Sequence, residues 1–239
     1  MEQKPTITAM QWSLLFVGCA LAFPYTFMPI MSVPSANQDI LIVFLLGMVF
    51  AVIFHMPLLF LMNKFRGFNA IEIGDVVLGK FFGKIPHLLF LVVCMFCFIA
   101  CTMASIVFMK YYFFTYTPIW AMLLYIIIPV TYAAYKGAGT LGRLATILVP
   151  FIMLTILFYF ILGFSHFDLS VFQPVLVDSK ITQLALGGFF TAARISEILI
   201  LYIFSYFLDQ KVKIYKTYAK SILVFAICFF PFCFQPLCP

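Results

Sequence analysis

Long apolar runs, separated by short connections that carry most of the lysines and arginines, set the pattern of this chain. Windows of about 20 apolar residues, the length that crosses a hydrocarbon core of about 30 Å, fall at residues 10–33, 40–62, 87–113, 118–135, 144–164, 184–207 and 222–237. The pattern predicts seven membrane spans. No alternating ten-residue pattern of a barrel occurs, and an open sheet in lipid would leave backbone groups unpaired, so all seven are expected to be helices. Between spans two and three, "RGFNAIEIGDVVLGKFFGK" is too polar to cross. Its Ile71, Val76, Val77, Phe81 and Phe82, mixed with Glu72, Asp75 and Lys80, predict a short helix lying at the membrane interface. The aromatic cluster "KYYFFTYTPIW" between spans three and four reads as an interfacial belt.

Composition agrees with this pattern. The chain of 239 residues is 65% hydrophobic and only 9% charged, with a mean hydropathy of +1.15, which excludes a soluble domain of this length. Its first apolar run lacks a small-residue cleavage site and is expected to be retained as span one. Lys4, Lys64, Arg66, Lys80, Lys84, Lys136 and Arg143, with Lys211, Lys213, Lys216 and Lys220, all fall on one side of the predicted spans, against Lys110 and Lys180 on the other. By the positive-inside rule that side is cytoplasmic and holds the N-terminus. The net charge of +6 is mostly this bias, so no nucleic-acid partner is expected.

Several chemical motifs carry no chemistry on inspection. Cys94, Cys97 and Cys101 share a helical face without a neighbouring His or carboxylate, so neither a metal site nor another cofactor is expected. The seven cysteines lack the spacing of a disulfide framework. "IGD" at residues 73–75 lies in a charged connection with no second intramembrane Asp, which excludes an aspartyl dyad. His55, His87 and His166 stand apart from one another in sequence. No nucleophile constellation supports an enzyme.

The places where helices should break are more informative. Span one contains "GCALAFPYTFMPIMSVP", with Gly18 followed by Pro24, Pro29 and Pro34, and span six contains "LGGFFTAARISE". Interrupted helices in corresponding positions, five spans apart, are the sign of an inverted-repeat transporter with its substrate at the midplane; kinked helices in a passive bundle are the alternative. Arg194 and Glu197 near the middle of span six each cost about 2.5 to 3.5 kcal/mol on insertion scales. Three residues apart, they share a face and can neutralise each other.

Read in order, "SANQDI", "VVLGKFFGK", "YKGAGTLGRLATILVPF", "FQPVLVDS" and "ISEILIL" resemble the endospore germination permease family, the B subunits of nutrient germinant receptors, within the amino acid, polyamine and organocation permease superfamily. The resemblance covers nearly the whole chain. It implies an all-α fold of ten helices, two inverted repeats of five, with spans one and six unwound around an amino acid or similar nutrient. On that basis the chain is a single transmembrane domain, 1–239, with a first repeat at about 7–164 and an incomplete second repeat at about 181–239. The implied setting is the spore inner membrane, with an A subunit and a lipoprotein C subunit as partners besides the lipid bilayer.

By resemblance, Gly18, Cys19 and Ala20 match the unwound segment of span one, Pro24 the proline after it, Asp39 the acid opening span two, Pro174 the Pro-Val-Leu turn and Glu197 the glutamate of span six. Gly188, Thr191 and Arg194 complete the expected substrate-binding set. In the functional reading, freed N–H groups of span one hold a substrate carboxylate while Glu197 faces an ammonium or gates the pathway, with Arg194 as its resting partner. In the structural reading the two charges form a permanent pair inside the bundle. The family continues for three more spans, so a truncated product is a further expectation. Three functions follow: a nutrient-sensing receptor subunit, a stand-alone amino acid permease, and a non-functional fragment.

Overall fold

The computed structural model describes residues 7–31, 39–163, 180–195 and 198–229, excepting the side chains of 22–31, 159 and 194. The described chain is helical: α1 (Ala9–Met31), α2 (Ile40–Lys64), α3 (Ala70–Leu78), α4 (Lys84–Tyr112), α5 (Ile119–Tyr135), α6 (Ala138–Gly163), α7 (Ile181–Arg194), α8 (Ile198–Phe204), a 3-10 turn at Ser205–Phe207, and α9 (Ile214–Phe229). Among the described residues four stretches are long and apolar enough to cross a membrane, namely α2, α4, α6 and the combined Ile181–Phe207, while Ala9–Leu21 and Ile119–Tyr135 are shorter apolar helices. At 1.5 Å per residue, the 25 residues of α2 reach about 37 Å, enough for a hydrocarbon core.

Helices persist through prolines here. Pro57 lies inside α2, Pro129 inside α5 and Pro150 inside α6. In lipid, unwinding would strand further backbone donors and acceptors, so a helix keeps its remaining bonds around the proline. The same physics accounts for a departure from expectation. The backbone of α1 is helical from Ala9 to Met31, so the interruption predicted at Gly18, Cys19 and Ala20 is not present. Span six is interrupted at Ile195: α7 ends at Arg194, Ile195 is non-helical at φ −95°, ψ 28°, and α8 covers Ile198–Phe204.

The core lies among α1, α2, α6, α7, α8 and α9. The closest pairings are α2 along α7, and α1 against both α6 and α9. Two of these crossings are set by glycine. A Cβ at Gly18 would stand 2.8 Å from Cγ2 of Val149 on α6, and one at Gly47 would stand 2.5 Å from Cγ2 of Thr191 on α7. Phe44 stacks on Phe229 at 4.8 Å between ring centres, tying α2 to α9. By contrast, α4 buries only Thr102 and Ile106 and presents Leu88, Leu89 and Phe96 outward, the arrangement expected of a lipid-facing helix.

The predicted interfacial helix is α3, and its start is locally encoded. Asn69 Oδ1 accepts from the Glu72 N–H at 2.8 Å while a Glu72 carboxylate oxygen accepts from the Asn69 N–H at 2.7 Å, a reciprocal cap. Gly79 closes it at φ 83°, where a side chain would be strained. At the same end of the bundle, Ile7 pairs with Leu208 in an isolated parallel bridge, with the Ile7 N–H on the Phe207 carbonyl at 2.7 Å. The Arg66 guanidinium reaches the Gln210 carbonyl. α9 starts at Ile214, eight residues before the predicted span. Its early turns are two-faced, with Lys216 and Lys220 exposed while Tyr218, Ser221 and Ile222 are buried.

Candidate functional site at the break in the sixth span

The break falls in the interior of the bundle. Ile195, at the break, and Ile198, in α8, are 1% and 2% exposed, and both belong to the main core cluster with Ala20, Phe16 and Tyr218. Ile195 caps α7 at φ −95°, ψ 28°, a non-helical conformation, with its N–H on the Ala192 carbonyl at 3.0 Å. The last carbonyls of a helix have no intrahelical donors. Irregular backbone at membrane depth is tolerated only where protein or a cavity surrounds it. Two polar side chains meet there.

His55 on α2 is buried, and its Nδ1 lies 2.6 Å from the Tyr218 hydroxyl on α9. The backbone of Ile195 lies within hydrogen-bonding reach of the same ring. In the neutral tautomer protonated on Nε2, Nδ1 accepts from the Tyr218 O–H. The imidazole thereby joins α2 to α9 beside the end of α7. Phe16 of α1 packs edge-on against Tyr218 at 5.8 Å, bringing the first helix into the cluster. Sequence reading had left His55 aside. The signal that finds it is the one applied to Arg194 and Glu197: an ionisable group mid-span is expensive and requires a partner.

The predicted substrate residues do not gather in one pocket. Gly18 is used at the α1–α6 crossing, against Val149, and Gly188 at the α2–α7 crossing, where a Cβ would stand 2.9 Å from Leu46 Cβ. Thr191, on the same crossing, donates its hydroxyl to the Gly187 carbonyl at 2.9 Å and turns its methyl onto Gly47. Ala20 is fully buried in the core and Cys19 half-buried. Asp39 is buried at the start of α2, its carbonyl accepting from the Ile42 and Val43 N–H groups. Pro24 falls within the bounds of α1 and Arg194 ends α7, but both side chains lie outside the described residues, as do Glu197 and Pro174 altogether. Among the described residues no group of three or more His, Cys, Asp or Glu could hold a metal. Cys97 and Cys101 are exposed on α4.

A protein-family model described as spore germination protein, the spore permease family, matches residues 6–235. Searches of curated proteins and of solved structures find no match.

Proposed function

The chain belongs to the spore germination permease family, and from that premise, for a multi-pass membrane protein, we propose that it is a nutrient-sensing subunit of a germinant receptor. It would work in the inner membrane of the spore beside A and C subunits, with the polar, lysine-rich ends of its helices and its N-terminus in the cytoplasm. The seven spans would be the first five and the opening two of a pair of inverted repeats, at about 7–164 and 181–239. The observation that carries the proposal is the interruption between α7 and α8, buried in the core and crossed by the His55–Tyr218 bridge.

An interruption at that depth provides what an amino acid needs. The freed carbonyls at the C-terminal end of α7 suit an ammonium, since a helix C-terminus carries partial negative charge. Glu197, next along the chain, supplies a full negative charge, and the Arg194 guanidinium can hold a carboxylate through two parallel bonds. Because α1 is unbroken, its N–H groups are engaged within the helix, and the carboxylate role assigned to them passes to Arg194. Binding would change the geometry between α7 and α8, and partner subunits would read that change as a shift between two states.

The test is Glu197→Gln, with ligand affinity measured on the purified protein and germination measured in spores. The proposal expects weakened binding and delayed germination at the same nutrient concentration. Unchanged affinity together with unchanged germination removes Glu197 from the site. Uptake of labelled amino acid into proteoliposomes holding this chain alone would instead make it a permease.

A further inference from the structure

A cleft of about 560 Å³ opens between the first turns of α1 and those of α9, at the end of the bundle where Ile7 pairs with Leu208. Its rim is basic: Lys211, Lys213, Lys216 and Lys220 all line it, and all four are exposed. Among the described residues none of these ammonium groups pairs with a carboxylate. The neighbouring acid, Asp209, is turned to the backbone, accepting from the Lys211 N–H at 3.0 Å. Lys216 and Lys220 stand four residues apart on one helical face, where like charges repel. A bound anion relieves that repulsion.

The interior of the cleft is different from its rim. Ser221 Oγ lies 2.9 Å from Ser13 Oγ and 2.8 Å from the Thr217 carbonyl, a small polar shelf. Beyond it the wall is apolar, made by Leu14, Val17 and Val224. Ammonium groups, then hydroxyls, then hydrocarbon complement in turn a phospholipid's phosphate, its ester carbonyls and its acyl chain. Basic pockets between membrane helices are known binding places for anionic headgroups.

We propose that this cleft holds an anionic phospholipid, with its phosphate among the four lysines and an acyl chain along Leu14, Val17 and Val224. The site is distinct from the break in the sixth span and does not depend on any role for that break. Lipid occupancy would tie α9 to α1 through a molecule of the surrounding membrane.

The experiment uses the full chain in detergent, with retained lipid counted by native mass spectrometry. Short-chain phosphatidylglycerol should bind about tenfold or more tightly than phosphatidylcholine of the same chain length, and the difference should shrink with added salt. The triple variant Lys213→Gln, Lys216→Gln, Lys220→Gln should lose about tenfold or more in phosphatidylglycerol affinity. Lys80→Gln with Lys84→Gln, which removes charge elsewhere on the polar ends, should leave it unchanged. The corresponding triple Lys→Arg variant should retain binding, and it decides the matter if the Gln variant fails to fold. Equal binding of the two lipids, or binding indifferent to the Lys→Gln changes, overturns the proposal. Displacement of the lipid by inorganic phosphate alone also overturns it, because that marks a phosphate site with no use for the apolar wall.

Discussion

Gly47 and Gly188 control how closely α2 and α7 approach, and neither position has room for a methyl group. Gly47→Ala places a carbon where Thr191 Cγ2 now stands, and overpacking of this kind costs about 1–3 kcal/mol. The expected outcome is a lowered thermal midpoint of the purified protein in detergent, with only part of the loss recovered by Thr191→Ser, because Thr191 Cβ itself stands 2.6 Å from the added carbon. His55 and Tyr218 make a second residue-scale prediction. Tyr218→Phe should cost about 1 kcal/mol, and His55→Ala more, because it leaves polar groups at Tyr218 and Ile195 buried without their donor or acceptor. Chemical denaturation of the two single variants and the double variant should give a coupling of about 0.5–3 kcal/mol; additive losses would mean the two groups do not interact. This pair was not legible in the sequence. Its members lie 163 residues apart, and only helix packing joins them, whereas Arg194 and Glu197 announce themselves by charge within one apolar run.

At the scale of elements, hydropathy located the four long apolar helices among the described residues, because lipid imposes length and apolarity on each helix separately. The short α3 was legible too, since its cap is written locally in Asn69 and Glu72. Asn69→Ala should destabilise that helix by about 1 kcal/mol, seen as faster amide exchange over Ile71–Leu78 with the spans unaffected. The interruptions were only half legible. The charge pair stands at the break in span six, but Gly187 and Gly188 lie inside α7, and Gly18 and the prolines suggested a matching break in α1 that the chain does not make. Gly18 serves close packing against Val149 instead, and composition alone does not distinguish a glycine that frees the backbone from one that admits a neighbour. The early start of α9 was missed for a related reason. Exposed lysines on one face lowered the apolar score of turns whose other face is buried.

For the whole molecule, the lysine and arginine asymmetry makes a topological prediction. In a cysteine-free background, a cysteine at Lys213 should resist an impermeant thiol reagent added outside intact cells, and one at Lys180 should react; the reverse pattern would invert the orientation. The outward-facing apolar surface of α4 and the buried junction of α7 with α8 describe a protein whose hydrophobic solvent is the bilayer and whose irregular backbone is reserved for its interior. The central claim is that a nutrient settles at that junction. Hydrogen exchange at residues 194–198, with and without an amino acid selected for raising the protein's thermal midpoint, tests it most directly. The account predicts that ligand slows exchange there more than anywhere else in the chain. Protection confined to other segments, with 194–198 exchanging at an unchanged rate, or the failure of every amino acid to stabilise the protein, would contradict it.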